Sequence, residues 1–224
     1  MLPSRYKILS TILLVVTSSI YFIDEYVVDH FDDETETLES LGWHIHRESN
    51  GSTYELKSEN ESGFLFASTS ASDMMIVKKI EVDIVKYPYV NWSWRINTLP
   101  INGDESIKST CDVPASISFV TNKVRLLPKS IKYSWSTTLE KGTATKSPFA
   151  YWPARTDIIV MQSGDELAGE WVIEKRNILE DYKKLYGKKK LKSKAIYAIA
   201  IMSDSDNTKS TSAADYDNIY FSAE

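Results

Sequence analysis

The sequence predicts a mainly β protein: an antiparallel β-sandwich of jelly-roll type carrying one short helix. Three observations predict it. Apolar and polar side chains alternate with a two-residue period in several stretches, a single stretch carries a capped helical pattern, and no strand–helix–strand rhythm is present. With 224 residues, 42% of them hydrophobic, the chain can bury the core of one domain, assigned to residues 26–224. Six tryptophans and thirteen tyrosines suit pleated sheets, where rings pack across strands, and leave some for a binding surface.

Residues 1–25 stand apart. Arg5 and Lys7 precede an apolar run from Ile8 to Ile23, the pattern of a signal peptide or an N-terminal membrane anchor. The run is slightly short of the ~20 residues of a helical span, so cleavage and retention both stay open. On either reading the remainder is exported, in the periplasm or cell envelope, with membrane attachment through residues 8–23 if the run is kept.

The acidic "DHFDDETETLESLGWHIHRE" reads as a polar loop entering a first strand at Gly42-Trp43. "STYELKS" and "GFLFAST" are strands joined by "ENESG", whose residues favour a turn. "SASDMMIVKKIEVDIVKYP" is extended chain ending at Pro88. In "YVNWSWRI" Val90, Trp92, Trp94 and Ile96 share one face, and Asn91, Ser93 and Arg95 the other. "VPASISFVT" repeats the pattern with Val113, Ala115, Ile117 and Phe119. "IKYSWS" repeats it with Ile131, Tyr133 and Trp135. "DIIVMQSG" and "EWVIEKR" are strands separated by a loop with Gly164 and Gly169. In "RNILEDYKKLYG" Asn177 caps a helix over 178–186, Glu180 completes a capping box, and Gly187 ends it. "AIYAIAIMS" is apolar enough to be buried on both faces, and "YDNIYF" alternates and closes the domain.

"YPYVNWSWRI", "CDVPASISFV", "IKYSWS", "EWVIEKRNILEDYKKLYG" and "AIAIMSDSDNT…YDNIYF", in that order from about residue 40 onward, resemble a bacterial family of exported proteins known only as domain of unknown function 3047. The resemblance implies shared polar positions at Arg95, Asp112, Glu174, Arg176, Asn177, Asp181, Asp204, Asp206 and Asn207. The family's GDD-like segment falls at Gly103-Asp104-Glu105 or, after "SIKSTC", at Asp112. The Phe31-Asp32-Asp33 opening with Gly42-Trp43 and the "YDNIYF" ending are similar, more distantly, to galactose-binding-like jelly rolls, including carbohydrate-binding modules. The resemblance brings no reaction with it.

Candidate chemistry falls in four places. Asp204, Asp206 and Asn207 in "SDSDNT" offer the oxygen donors that hard cations accept. An EF-hand is excluded because its central glycine is Lys209. A structural Ca2+ site would draw on Asp29 or Asp32 and on Asp217, near chain ends that meet when a sandwich closes. The same aspartates can equally accept N–H bonds in Asx turns. Second, Glu174 and Arg176 alternate on the strand face opposite Trp171 and Ile173. Pointing away from the core like Arg95, they would hold a polar ligand with Asp181, or form an ion-pair network pinning the helix. Third, Tyr151 and Trp152 sit between prolines as an exposed platform or a buried rim. Fourth, "KKLYGKKKLKSK" is a basic patch, suited to an anionic polymer or lipid surface, or an ordinary solvated loop.

Several chemistries are set aside. Net charge of -5 and one cysteine argue against nucleic-acid affinity, disulfides and cysteine-bound zinc. His44 and His46 share a strand face without a third ligand, and no G-x-S-x-G elbow exists. The resulting expectation is a non-enzymatic envelope protein binding a glycan or another polar ligand. Two readings stand beside it: a glycoside hydrolase or lyase using paired carboxylates, and a structural protein-interaction domain.

Overall fold

The computed structural model describes residues 24–33, 35–122, 129–150, 154–187 and 195–224. In chain order the strands are β1 (Glu25–Asp29), β2 (Trp43–Glu48), β3 (Ser52–Glu59), β4 (Ser62–Ser70), β5 (Asp73–Asp83), β6 (Tyr89–Thr98) and β7 (Ala115–Val120). β8 (Lys129–Ser136), β9 (Ala144–Lys146), β10 (Arg155–Ser163) and β11 (Val172–Asn177) follow. The helix α1 (Ile178–Tyr186), β12 (Ala195–Asp204) and β13 (Thr211–Ser222) complete the chain. The helix occupies the span its cap predicts: Glu180 N–H donates to Asn177 Oδ1 at 2.9 Å.

The strands form two facing sheets. The front sheet runs β11-β6-β13-β4-β3, with β1 also paired to β13, and the back sheet runs β2-β5-β12-β7-β8-β10-β9. The expected antiparallel pairing holds with one exception. β10 lies parallel to β8, because the chain leaves β8 by a crossover and adds β9 on the far side of β10, where a hairpin would have reversed it. β1 was not visible in the sequence, since five residues adjoining an acidic loop carry little pattern. In "ENESG" Asn60 and Glu61 both have positive φ (52° and 66°), the two-residue turn whose twist matches paired strands.

Between the sheets lies an aromatic layer. Trp92 stacks on Tyr133 across the gap at 5.4 Å, Trp94 meets Trp135 at 5.9 Å, and Phe119 touches both Tyr133 and Phe221. All six rings are essentially inaccessible. Each such ring contributes a few kcal/mol by burial alone. One end is closed by the segment from β1 to β2, where Phe31 stacks on Trp43. It passes so close to Gly63 that an added Cβ would lie 2.0 Å from the Phe31 carbonyl oxygen. Any side chain at 63 would displace that segment.

The helix packs against the back sheet. Tyr182 and Tyr186 are buried, and the Tyr186 hydroxyl donates to the Ser130 carbonyl at 3.0 Å. Tyr133 OH donates to Asp181 Oδ2 at 2.6 Å, and Arg176 binds the same carboxylate in bidentate fashion at 2.6 and 2.7 Å. Asp181→Ala would leave the buried Tyr133 hydroxyl unpaired and remove both arginine bonds, costing about 2–3 kcal/mol. The midpoint of thermal unfolding should fall by roughly 4–12 °C. A shift under about 2 °C would show that the helix is held by its apolar face alone.

Candidate functional site

Burying Trp92 and Trp94 turns the intervening residues of β6 outward, so Arg95 stands on the outer face of the front sheet. Register fixes its neighbours. Arg95 lies opposite Asp215 of β13, which lies opposite Phe66 of β4, which lies opposite Glu55 of β3. Trp171, the residue before β11, joins the row: Arg95 Cζ is 4.8 Å from its ring centroid and 5.4 Å from that of Phe64. The two rings meet edge to face at 5.8 Å. Arg95 Nε donates to Asp215 Oδ2 at 2.7 Å and Nη1 to Glu59 Oε2 at 2.8 Å. Burial works against the guanidinium charge, but its bonds to both carboxylates outweigh that and raise its pKa. Asn97 Nδ2 also donates to Asp215 Oδ2 at 2.9 Å. The other oxygen, Asp215 Oδ1, is buried with no hydrogen-bond partner among the described residues. Beside this constellation Trp171 is 37% and Ile173 80% exposed.

The facing of Glu174 and Arg176 corrects the sequence expectation. They do lie opposite Trp171 and Ile173, but it is the apolar pair that faces solvent. Glu174 is paired with the buried Trp92 in β6 and accepts from Gln162 Nε2 at 2.7 Å. Burial pushes its carboxyl up, against the bond from Gln162. Arg176 joins Asp181 and Tyr133 at the helix, so the set forms the internal network. β11 is an edge strand whose inward neighbours are polar groups of β10 and α1, and this inverts its pattern. Arg95 is therefore not brought together with Glu174, Arg176 or Asp181. Tyr151 and Trp152 lie outside the described residues, as do residues 8–23 and most of the lysine run. Among the described residues no helix is long and apolar enough to cross a membrane. Sequence reasoning missed Trp171, Phe64, Glu59, Asn97 and Asp215. Only the Asp215-Tyr216-Asp217 alternation in β13 signalled any of them.

Asp204 and Asp206 gather as expected, but with Asp112 in place of Asp29, Asp32 or Asp217. Asp29 accepts from Trp43 Nε1 and Lys78 Nζ at 2.8 Å each and from Phe31 N–H at 3.0 Å, which leaves little capacity for a cation. Asp32 is exposed. Asp217 accepts both N–H groups of Asn218 at 2.6 Å. Burial, with the charges of Asp32 and Asp29 adding to it, pushes Asp217 up to about 6. The one group among the described residues able to hold a metal is Asp112, Asp204 and Asp206, with ligand atoms all within 4.8 Å. Asp112 reaches this loop from the segment before β7. It accepts from Asn207 N–H and Nδ2 at 3.0 Å and from Thr208 N–H and Oγ1 at 2.6 and 2.5 Å. Burial raises its pKa, yet these bonds win and hold it low. Four donors fill the four acceptor sites of a carboxylate, so a cation would lean on Asp204 and Asp206 and displace a bond to Asp112. The donor set is all oxygen and fits a hard ion. Burial, a hydrogen bond with Asp206 and the neighbouring acids push Asp204 up to about 9. Nearby Cys111 is buried, its thiol raised to about 11 by desolvation, which removes reactivity.

A family model described as "Protein of unknown function (DUF3047)" matches residues 42–220. No curated protein matches the sequence. Among solved structures, the family 11 carbohydrate-binding module of cellulase Lic26A-Cel5E of Clostridium thermocellum is similar at TM-score 0.48 and 10% identity, over 91% of this chain and 97% of that one. The xyloglucanase domain of NopAA, a type three effector from Sinorhizobium fredii, gives 0.44 and 6%, over 81% and 98%. Endoglucanase 3 of Trichoderma harzianum, from family GH12, gives 0.41 and 10%, over 80% and 89%. Likeness at this level carries no inference about ligand or reaction.

The raised Asp204 gives a pH test of the acidic cluster. Its folded pKa lies above the ordinary 3.8, so the folded state holds the extra proton as pH rises from there. The corresponding stability is complete at low pH and is lost as pH climbs through about 9. Asp204→Asn cannot ionise. In chelator, its unfolding midpoint should exceed that of the parent at pH 8 by several degrees, at roughly 2–4 °C per kcal/mol, and the gain should shrink toward pH 4. Parallel pH profiles would show that Asp204 is not the titrating group.

Proposed function

Because the chain belongs to this DUF3047 family, whose description assigns no reaction, we propose from its own geometry that it is a non-enzymatic glycan-binding protein of the cell envelope. The ligand docks on the outer face of the front sheet. The observation that carries the reading is the buried, donor-less Asp215 Oδ1 beside the half-exposed Trp171 ring that Arg95 supports. Sugar recognition combines an aromatic platform with a few directional hydrogen bonds. A hydroxyl of a ligand seated against Trp171 would supply the donor that Asp215 lacks. Export is supported by the Arg5/Lys7 flank and the apolar run Ile8–Ile23. If that run is retained, it tethers the domain to the membrane one residue before Asp24.

A protein carrying Trp171→Ala should lose most of its affinity for isolated envelope polysaccharide in a pull-down, by about tenfold or more, with little change in fold because the ring is partly exposed. Equal retention of parent and variant would refute this face as the site.

One observation favours a hydrolytic second reading. Asp215 and Asp217 are two apart on one strand face, about 7 Å between Cα atoms. Asp215 is ion-paired with Arg95, while Asp217 is raised to about 6, and differing environments mark acid and base roles. Release of reducing ends from soluble glycans, abolished by Asp217→Asn, would establish it.

For the Asp112–Asp204–Asp206 cluster we propose calcium in a structural role, supported by its all-oxygen donors, which suit a hard cation. A hundredfold excess over Kd would stabilise by about 2.7 kcal/mol, raising the unfolding midpoint by roughly 5–10 °C. Identical melts in calcium and in chelator would leave the loop as a turn closed by Asp112.

A further inference from the structure

We infer that the ligand of the front-sheet face is a neutral glycan chain lying across the strands, with Arg95 positioning Trp171 for it and receiving no anion. This rests on the glycan-binding reading above. The charge of Arg95 is already met by two carboxylates. Its Nε is committed to Asp215 and its Nη1 to Glu59, and its plane lies against Phe64 and Trp171. A guanidinium that receives an anion presents its forked N–H groups to it; here Nε and Nη1 each already serve a carboxylate of the protein.

The other cations of this face are placed in the same manner. Lys57 Nζ lies 3.5 Å from the Phe66 ring centroid and 3.5 Å from Glu55 Oε2. Lys175 Nζ lies over Tyr89 at 4.9 Å. On this face the acids Glu25, Glu55, Glu59, Asp215 and Asp217 outnumber the cations Lys57, Arg95 and Lys175 by two. An incoming polyanion would meet uncompensated carboxylates. A neutral sugar meets acceptors for its hydroxyls and, in Trp171 and Ile173, apolar surface for its ring C–H faces. The face spans four inter-strand steps from β11 to β3, about 19 Å, so it accommodates several rings in a row.

The test uses the full-length protein in detergent and titration calorimetry with cellohexaose, mannohexaose, polygalacturonate and muropeptides. Measurements are made at about 50 and about 500 mM NaCl, which spans a threefold change in Debye length. A neutral hexaose should bind with a Kd that changes less than about twofold between the two salts, since no ion pair forms. Trp171→Ala should weaken it about tenfold or more. Arg95→Lys keeps the charge but loses the planar contact, so it should weaken the same ligand about fivefold while leaving salt dependence flat. Both variants are compared by thermal unfolding, and Trp171→Tyr, which keeps a ring, should restore most of the affinity. Tight, salt-sensitive binding of polygalacturonate lost in Trp171→Ala would overturn the neutral-ligand inference and leave the glycan reading standing. Parental affinity in Arg95→Lys would overturn the positioning role. No binding of any of the four would overturn the glycan reading itself.

Discussion

The stacking of Trp92 on Tyr133 across the gap between sheets is the contact on which the remaining architecture depends. It joins the strand flanked by β11 and β13 in one sheet to the strand flanked by β7 and β10 in the other. Because side chains alternate strictly in a strand, committing Trp92 and Trp94 to the interior leaves Ser93 and Arg95 no choice but the outer face. A one-residue slip of β6 would bury a guanidinium and expose two indoles. Register there is consequently well determined, and β11 and β13 inherit it through their ladders. The same tyrosine extends the effect, since its hydroxyl meets Asp181 and through it Arg176. One ring thus links the aromatic layer, the lone helix and an edge strand.

The interior of this sandwich is not uniformly apolar. Glu174 and Gln162 meet between the sheets, and Glu105, inaccessible to solvent, accepts from Ser136 at 2.6 Å. Desolvation pushes both carboxyls up, against the bonds they accept from Gln162 and Ser136. Such groups cost stability relative to an apolar filling, yet leaving one partner unmatched costs more. They hold particular strands together: Gln162 belongs to the back sheet and Glu174 to the front. Polar pairing across the gap does near the edge what tryptophan does at the centre.

This explains which parts of the molecule could be read from the sequence. β6, β7 and β8 were legible because each buries one apolar face against the other sheet, and the helix because its cap is a local signal encoded in Asn177 and Glu180. β11 misled because its facing depends on what lies across the gap, and Gln162 and Asp181 are not predictable partners from spacing. "YDNIYF" misled differently. Asn218 at φ 53° and the register shift between Asp217 and Tyr220 break an alternation that looks continuous. Of the front-sheet constellation only Arg95 was identified, since Phe64, Trp171 and Asp215 lie 31, 76 and 120 positions away from it in no evident motif. Asp112 came forward only by resemblance, and its bonds to Asn207 and Thr208 cross 95 and 96 positions. Long-range pairing, invisible to local pattern, assembled both candidate sites.

On the proposed reading, recognition and stability are divided between the two faces of one strand. Inward residues of β6 are constrained by ring packing at near-crystalline density, where a change of one methylene is felt. Outward residues answer only to their lateral neighbours, so this face can be altered without disturbing the sandwich. Arg95 is the exception that shows the division is incomplete. By reaching over Phe64 to Glu59 it ties β6 to β3 across two intervening strands, and by bonding Asp215 it anchors the carboxylate whose second oxygen is left without a donor. Pre-ordering an aromatic ring and an acceptor in the free protein lowers the entropy lost on binding. The cost of an unpaired buried oxygen, about 1–3 kcal/mol, is tolerable in a fold whose aromatic layer supplies stability elsewhere.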